Sequence, residues 1–354
     1  MKILHVITSL RTGGAEHLMV DLLPELRSLG NEVELLVFDG TRTPFMAELE
    51  VQGVRILSLA VGRNVYHPLN VVGLCKFMRK YDVIHTHNTA CQLFVPMARC
   101  LTMGGAKLVT TEHNTTNRRR GKWYFKDIDK WMYSCYDHVI CISSSTQGNL
   151  EKHIGRRSSL VTINNGIRVK RFIRPVQAIA DDKKDFVITM VAGFRLQKDQ
   201  DTLIRAVAQL PGNYSVRLVG DGPRREELRQ LALSLHVADR VNFMGIRSDI
   251  PELLTQSDIV VLSSHWEGFG LAAIEGMASG RPVIVSDVAG LANIVHGSGV
   301  VFLPGDASQL AAEIRGLCEN PERYRQVAEK CQEKAKQYDI SVMAAKYNEL
   351  YQSL

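Results

Sequence analysis

The 354-residue sequence has no apolar run long enough to span a membrane. Its longest runs, such as Val187–Ala192 and Ile259–Leu262, are far shorter than the roughly 20 residues that cross a bilayer. The apolar start MKILHVITSL passes into polar RTGGAEH without a cleavage site, which favours a first buried strand over a signal peptide. We therefore expect a cytoplasmic protein.

Cysteine pairing motifs are also missing. The seven cysteines are scattered through apolar segments, with no CxxC pair and no His-rich neighbourhood. This pattern is typical of reduced thiols in a core and supplies no ligand set for a structural metal. We predict a reduced, cytoplasmic protein with no metal and no bound cofactor.

The charge is unevenly distributed along the chain. Lys and Arg outnumber Asp and Glu by 23 to 14 over residues 1–172, whereas the remainder has 20 against 23. The N-terminal half is therefore expected to face an anion, such as a phosphate-bearing acceptor or a lipid surface. Nucleic acid is the competing interpretation of the net charge of +6. No nucleic-acid motif accompanies that charge, so no nucleic-acid partner is predicted.

Short β-branched runs alternate with helical patterns, which is typical of βαβ units on a parallel sheet. The alternation runs to residue 170, stops over a polar linker at 171–185, and resumes at Phe186. We predict two doubly wound, Rossmann-like α/β domains, residues 1–170 and 186–336. The predicted strands are Lys2–Thr8, Glu32–Phe38, Val54–Ser58, Val83–His85, Lys107–Thr111, His138–Ile142, Leu160–Ile163, Phe186–Ala192, Ser215–Val219, Val241–Met244, Ile259–Leu262 and Val283–Val285.

Residues 337–354 are predicted to form a terminal helix with an apolar stripe that has to be buried. Packing on its own domain is one interpretation, and crossing back onto the first domain is the other. The stripe consists of Val342, Ala345, Tyr347, Leu350 and Tyr351.

Ligands of open parallel sheets bind beyond the carboxyl ends of the strands, so the loops that follow strands are informative. In the first loop, Gly13 and Gly14 precede a helix. Paired glycines let a backbone approach an anion, and a helix N-terminus offers free N–H groups. A tight turn is the alternative. The loop is not GxGxxG, so the dinucleotide pattern is absent.

A second loop places Arg195 and Lys198 just before a helix. Two cations on a diphosphate would neutralise a leaving group as its charge develops, although solvated basic residues beside a helix cap are the alternative. Two DxD patterns are present, and in other settings such paired aspartates bind a metal ion. We interpret Asp199–Asp201 as a helix N-cap with its first turn, and Asp127–Asp129 as a charged helix face.

The third loop, SSHWEGFGLAAIEGMASG, contains Glu267, with Glu275 in the following helix. Carboxylates accept paired hydrogen bonds from vicinal hydroxyls, so this pair is suited to a sugar and a ribose. The amides of Phe269, Gly270 and Leu271 would cradle phosphate. A surface role fits Glu275 poorly, because the helix around it is apolar and a buried Glu needs partners.

The segment EGFGLAAIEGMASGRPVI resembles the glutamate–seven residues–glutamate motif of family 4 (group 1) retaining glycosyltransferases of the GT-B fold. Further matching segments follow in family order: GGAE at 13–16, HTHN at 85–88, TEHNT at 111–115, NNGI at 164–167, GFRLQKDQDTLIRA at 193–206, LVGDGPRREEL at 218–228 and NFMGIRSDIPELL at 242–254. The resemblance implies two domains facing across a cleft that holds the donor diphosphate, with the terminal helix crossing back to the N-terminal domain.

The resemblance also implies residue roles. Glu267 would hold the donor sugar and Glu275 the ribose diol, while His113 would contact the donor near its reacting sugar. The implied catalytic residues are His113, Arg195, Lys198 and Glu267. The implied donor-binding residues are Gly13, Gly14, Arg195, Lys198, Ile246, Arg247, Glu267, Phe269, Gly270, Leu271 and Glu275. Arg168 and Asn293 depart from the family pattern, which favours an Asp and a Glu at these positions.

The predicted acceptor-binding residues are Glu16, His87, Asn88, Arg118, Arg119 and Arg120. For His87, acceptor contact and a structural role are both open. The run Arg118–Lys122 precedes an apolar stripe at helical spacing, formed by Tyr124, Ile128, Trp131, Met132 and Cys135. A basic amphipathic helix can lie on an anionic membrane, and a core-facing stripe with a solvated edge is the alternative.

The implied reaction moves a hexose or N-acetylhexosamine from a nucleoside diphosphate, with UDP as first choice, to a hydroxyl with retained configuration. No carboxylate in the motifs is an evident nucleophile, so a front-face mechanism is expected. The acceptor would be a saccharide or a polyprenyl-diphosphate-linked saccharide, met at the inner face of the cell membrane. A sugar-nucleotide epimerase and a non-catalytic sugar-nucleotide-binding protein are the alternatives.

Overall fold

The computed structural model describes residues 1–11, 13–113, 125–176, 179–180 and 183–354. The chain divides into two compact units. The first consists of Met1–Gly166 together with Ile340–Leu354, and the second of Ile167–Asp339. The sequence had placed the corresponding boundaries at residues 170 and 337.

The first unit has a seven-stranded sheet in which all described pairs are parallel. The strands are β1 (Lys2–Ile7), β2 (Glu32–Asp39), β3 (Arg55–Ala60), β4 (Val83–His87), β5 (Lys107–Glu112), β6 (His138–Cys141) and β7 (Leu160–Thr162). Their order is β3-β2-β1-β4-β5-β6-β7, so the direction of winding reverses between β1 and β4. This reversal is the switch point beside which doubly wound sheets bind ligands.

Helices cover both faces of this sheet. The helices are α1 (Gly14–Ser28), α2 (Pro44–Val51), α3 (Leu69–Cys75), α4 (Thr89–Thr102), α5 (Phe125–Ser134) and α6 (Ser144–Ile154). Alternate residues of β1 lie on opposite faces of the sheet, which accounts for the two layers of helices. On one face, Ile3 and Ile7 pack with α1 and α2. On the other face, Leu4 and Val6 pack with α3 and α4. A fully buried parallel strand is therefore apolar on both sides.

The second unit repeats the same winding with six strands in the order β10-β9-β8-β11-β12-β13. The strands are β8 (Phe186–Val191), β9 (Tyr214–Val219), β10 (Val241–Gly245), β11 (Ile259–Leu262), β12 (Val283–Ser286) and β13 (Val300–Phe302). The helices are α7 (Val169–Phe172), α8 (Gln200–Ala208), α9 (Arg225–Ser234), α10 (Ile250–Thr255), α11 (Leu271–Ala278), α12 (Ala289–Val295), α13 (Ala307–Cys318) and α14 (Pro321–Ala335). The sequence prediction missed β13, a three-residue edge strand.

The terminal helix α15 (Ile340–Gln352) belongs to the first unit, where it packs against α1. The prediction that it crosses back to the N-terminal domain is confirmed. Tyr347 and Tyr351 are buried as expected, but Val342 and Ala345 are exposed. The buried face uses Ile340, Met343 and Ala344 in their place, because the helix is rotated relative to the predicted stripe.

Helix α5 also corrects the sequence prediction. Met132 is buried, but Ile128 and Trp131 are exposed, so the stripe is only partly core-facing. Asp129 does not lie on a charged helix face, since it is buried and its Oδ2 lies 2.9 Å from Nε2 of His153 on α6. None of the helices in the described ranges is long and apolar enough to cross a bilayer.

Candidate active site

Three neighbouring strands of the first sheet, β1, β4 and β5, end beside one another and carry polar residues at or just beyond their carboxyl ends. Asn88, directly after β4, donates from Nδ2 to Oγ1 of Thr8, directly after β1, over 3.1 Å. His113 is the first residue after β5. The structure thus brings Asn88 and His113 to the same sheet edge, at the winding reversal.

The glycine-rich loop lies at this same edge, where α1 begins at Gly14. A Cβ on Gly13 would clash with the Glu16 carboxylate, so the Glu16 side chain lies over Gly13. A Cβ on Gly14 would meet no heavy atom of the described residues within 4 Å. Packing within the described chain therefore does not require glycine at position 14, and the close approach of a ligand stays the predicted reason for it.

Four histidines form a cluster under this edge. Nδ1 of His5 lies 3.0 Å from Nε2 of His87, and Nδ1 of His87 lies 3.1 Å from Nε2 of His113. His85 bonds elsewhere, with Nδ1 2.5 Å from the Tyr351 hydroxyl and Nε2 2.8 Å from Oγ1 of Thr111. His5 was not predicted to lie here, because contacts between residues on different strands leave no local pattern in the sequence.

Acceptor contact and a structural role were both open for His87, and His85 lies two residues earlier on the same strand. Both are fully buried, and both ring nitrogens of each have partners. Of the two interpretations of His87, the structure therefore supports the structural one.

Burial keeps these imidazoles neutral. It lowers the pKa of His5 to about 3 and that of His113 to about 4. Burial also lowers the pKa of His85 and His87 well below the ordinary value, and the neighbouring histidines add to this effect. A neutral His113 offers a hydrogen bond rather than a charge to a ligand.

A metal ion is the other use of such a cluster, and ring nitrogens of His5, His85 and His87 lie within 4.8 Å of one another. However, His5 and His87 direct nitrogens at each other, and both nitrogens of His85 are bonded to hydroxyls. Three ligands of one ion would instead direct lone pairs at a shared point. The ring nitrogens of these three histidines are therefore arranged as a hydrogen-bond network rather than as the ligands of a metal ion.

The second sheet places its candidate residues at the ends of β8 and β11, again at the winding reversal. The loop after β8 carries Arg195 and a short 3₁₀ helix, Leu196–Lys198. Nζ of Lys198 donates to the carboxylate of Glu267, in the loop after β11. The Arg195 side chain is exposed and has no ion pair with a described residue. The structure thus brings together Lys198 and Glu267, predicted as catalytic on separate loops.

The Glu267 carboxylate is further fixed by its own loop, because Oε1 accepts from the Gly268 amide over 3.1 Å. Gly270 has φ of +78°, a conformation that favours glycine, and it caps the N-terminus of α11. A Cβ on Gly290, on α12, would clash with the Glu267 carbonyl oxygen. Close backbone packing therefore determines where the amides of Phe269 and Leu271 lie.

Glu275 lies one turn into α11 and is half-buried. Its neighbour Gly276 packs against Val260 of β11, where any Cβ would be too close to the valine side chain. This contact holds α11 against the sheet and orients the helix face that carries Glu275. The expectation that Glu275 is not an ordinary surface residue agrees with its burial.

Ile246 and Arg247 follow β10, next to β9 at the sheet edge. Ile246 is exposed, and Arg247 makes an ion pair with Asp249. In the DxD pattern at 199–201, both carboxylates are engaged by other described residues. Asp199 accepts from Thr202 as the N-cap of α8, as predicted, and Asp201 pairs with Arg224. Arg118, Arg119 and Arg120 lie outside the described residues.

Two Rossmann-like α/β units with polar groups at their winding reversals define the GT-B architecture. Residues 12–171 match the family model described as Glycosyltransferase Family 4, and residues 170–337 match Glycosyl transferases group 1. The chain therefore belongs to the family 4 (group 1) glycosyltransferases, and the predictions of family and fold are confirmed.

Individual relatives agree with this assignment. The N-acetyl-alpha-D-glucosaminyl L-malate synthase of Bacillus anthracis is 26% identical over 289 residues, 76% of this chain and 74% of that protein. The UDP-Gal:alpha-D-GlcNAc-diphosphoundecaprenol alpha-1,3-galactosyltransferase of Escherichia coli is 27% identical over 241 residues, 62% of each chain. The Anabaena protein Alr3699/HepE, solved with UDP-glucose, superposes with a TM-score of 0.85 at 24% identity over the full length of both chains.

Proposed function

We propose that this glycosyltransferase moves a hexose or N-acetylhexosamine from a UDP-sugar to an acceptor hydroxyl with retention of configuration. The observation that carries the proposal is the pairing of Lys198 with Glu267 at the ends of β8 and β11, beside the exposed Arg195. A cationic group next to a sugar-binding carboxylate suits a ligand in which a phosphate adjoins a sugar. The fold neighbour HepE was solved with UDP-glucose, which supports UDP as the nucleotide.

In this proposal, Arg195 and Lys198 bind the diphosphate and stabilise the charge that develops on it as the sugar departs. Glu267 holds hydroxyls of the donor sugar, Glu275 the ribose diol, and the amides of Phe269–Leu271 a phosphate. The nucleotide base lies against the backbone of Ile246 and Arg247, and Gly13 and Gly14 offer backbone amides to the diphosphate. His113 contacts the donor as a neutral hydrogen-bonding group.

The proposed mechanism is front-face. The diphosphate departs and the acceptor hydroxyl attacks on the same side, and the leaving phosphate takes the acceptor proton. Positioning and leaving-group electrostatics then account for most of the rate enhancement. We propose that no divalent metal is needed, because Asp199 and Asp201 are engaged as a helix cap and as the partner of Arg224.

We propose that the first unit binds a saccharide acceptor, free or linked to a polyprenyl diphosphate, through Glu16, Asn88 and Arg118–Arg120. The Escherichia coli relative is named for a diphosphoundecaprenol-linked substrate, which supports an anionic lipid carrier. The excess of Lys and Arg over residues 1–172 would favour the same class of acceptor.

A surface of the first unit supports peripheral attachment to the inner face of the cell membrane. Helices α3, α4 and α5 pack side by side over one hydrophobic cluster. Their outer side exposes Leu101 (71%), Met103 (85%), Ile128 (43%) and Trp131 (43%). Exposed cations lie at the end of α3 (Lys76), in the turn that follows it (Lys80) and in α5 (Lys126). Apolar groups flanked by cations are suited to an anionic lipid surface.

Incubation with radiolabelled UDP-sugars, with and without membrane extract, tests the proposed activity. Transfer of label to an acceptor supports it, with the α-anomer of the product confirming retention. Conversion of the sugar without transfer would identify an epimerase, and binding without turnover a non-catalytic protein. Either outcome would overturn the proposal.

A further inference from the structure

The chain His5–His87–His113 has the geometry of two in-plane hydrogen bonds. The ring centroids of His5 and His87 are 5.3 Å apart and the bonded nitrogens 3.0 Å apart, with 10° between the ring planes. For His87 and His113 the corresponding distances are 5.4 Å and 3.1 Å. In both pairs the distance between ring centroids exceeds the distance between the bonded nitrogens by 2.3 Å, which is about two ring radii. The two nitrogens therefore lie on the line that joins the ring centres. An imidazole nitrogen donates or accepts a hydrogen bond along this line.

The histidine chain His5–His87–His113 permits two arrangements of its protons. A neutral imidazole carries one N–H and one bare nitrogen. Each of the two contacts needs one proton. His87 takes part in both contacts, so it donates in one and accepts in the other. The direction of donation is therefore the same at both contacts. Either all three rings are protonated on Nδ1 and donate outward from His5 to His113, or all three are protonated on Nε2 and donate inward.

The buried end of the histidine chain, at His5, distinguishes these two proton arrangements. Nε2 of His5 is buried and has no hydrogen-bond partner among the described residues. Inward donation would place an N–H at this position with no acceptor, which native proteins rarely tolerate. Outward donation leaves only a bare nitrogen there. It also gives His113 an Nδ1–H, and no described residue accepts a hydrogen bond from that atom.

We propose that His87 is a positioning residue that holds His113 in its Nδ1–H tautomer, with the buried end of the chain at His5 setting the direction. His113 then presents a hydrogen-bond donor at the edge formed by β1, β4 and β5. A donor suits a phosphate oxygen or a sugar hydroxyl, whereas a bare nitrogen would repel a phosphate oxygen. Only the identity of the ligand atom that accepts this hydrogen bond rests on the proposed function.

The direction of donation is measurable without any activity assay. In protein labelled with ¹⁵N-histidine, protonated and bare ring nitrogens have well-separated chemical shifts. We expect a protonated Nδ1 in His5, His87 and His113 alike, each assigned by the signal lost in a His→Phe variant. A protonated Nε2 in His113 would overturn the proposal. Because the spectrum needs no substrate, it tests the tautomer of His113 even if no sugar nucleotide proves to be a donor.

Variants of His87 test the positioning role. His87→Phe removes the donor to His113, so we expect His113 to populate both tautomers and kcat to fall about tenfold, the scale on which an orienting partner acts. His87→Asn keeps an amide N–H at the place of Nδ1 and should recover most of the rate. The KM for acceptor should stay unchanged in both, whereas direct acceptor binding by His87 would raise it.

His85→Phe is the matched control. His85 lies two residues earlier on β4, is equally buried and stacks on His87, with centroids 4.5 Å apart, but it is not part of the chain. We expect His113 to keep its tautomer in this variant. An equal tautomer change in His85→Phe and His87→Phe would mean that general packing orients His113, and would contradict the proposal.

Discussion

Lys198 donates a hydrogen bond to the carboxylate of Glu267, which joins the loops after β8 and β11 in the second unit. Both groups are largely shielded from solvent by the protein. Neither charge is therefore isolated before a ligand arrives, and each is held in place by the other. In the proposed function, a phosphate that binds Lys198 would meet an ammonium whose position is already determined, which would reduce the reorganisation needed during the reaction.

This arrangement predicts a large cost for removing either cation. We expect Arg195→Ala and Lys198→Ala each to lower kcat by about two orders of magnitude or more, the scale of one lost transition-state contact. Arg205→Ala, which removes an exposed cation on α8, should change kcat less than twofold (~0.4 kcal/mol). Steady-state kinetics with the best UDP-sugar checks all three. A kcat for Lys198→Ala close to that of Arg205→Ala would contradict the diphosphate assignment.

The ribose assignment of Glu275 predicts a loss of nucleotide affinity. Glu275→Gln keeps the shape of the side chain but weakens its acceptance of hydrogen bonds from a diol, so we expect the Kd for UDP to rise about tenfold, about 1.4 kcal/mol. Calorimetric titration with UDP measures the change, and Glu252→Gln, exposed on α10, is the control. Unchanged UDP affinity in Glu275→Gln would show that the assignment is wrong.

The buried histidines predict acid sensitivity. The pKa of His5 falls from 6.5 to about 3 on folding. Below pH 6.5 the unfolded chain therefore takes up a proton that the folded chain excludes, and stability is lost as the pH falls. The loss is about 1.4 kcal/mol per pH unit, or about 2 kcal/mol at pH 5. Urea unfolding of wild type and His5→Phe at pH 7 and pH 5 should show a smaller loss in the variant. Equal losses would mean that His5 is not buried and neutral.

Two glycines predict opposite results from the same substitution. Gly290→Ala should displace the Glu267 loop and cost about 1–3 kcal/mol of stability, because its Cβ would clash with the Glu267 carbonyl oxygen. Gly14→Ala has free space among the described residues, so we expect nearly unchanged stability but weaker binding of the UDP-sugar. Thermal unfolding with and without UDP-sugar distinguishes the two. Gly212→Ala, also unobstructed, controls for the substitution itself.

The fold was largely predictable because each buried parallel strand is a short apolar run with clear boundaries. Ile259–Leu262 was predicted without error, and most other strand ends differ by one or two residues. The motifs also placed Lys198 and Glu267 in loops that meet. The histidine chain was not predictable, because His5, His87 and His113 come from three strands. Their contact depends on strand order and register, which no local pattern records.

The exposed side of α3, α4 and α5 predicts salt-sensitive binding to anionic vesicles. Basic residues near an anionic leaflet each contribute about 1 kcal/mol, and exposed aromatic and aliphatic groups add an apolar contribution. Sedimentation with anionic vesicles should therefore be strong at low salt and weak at high salt. Ile128→Ser/Trp131→Ser and the triple variant Arg118→Ser/Arg119→Ser/Arg120→Ser should both reduce it.

The matched control for this prediction comes from the second unit. Leu233 and Leu303 are exposed to a similar degree, 54% and 59%, but lie outside the proposed surface. Leu233→Ser/Leu303→Ser should therefore sediment like wild type, because it removes exposed apolar area without changing the proposed contact. If wild type and the triple arginine variant sediment alike, or if neither binds, the basic run is only a solvated face. A water-soluble saccharide would then be the better candidate for the acceptor, because nothing would hold the enzyme at the membrane where a lipid-linked acceptor resides.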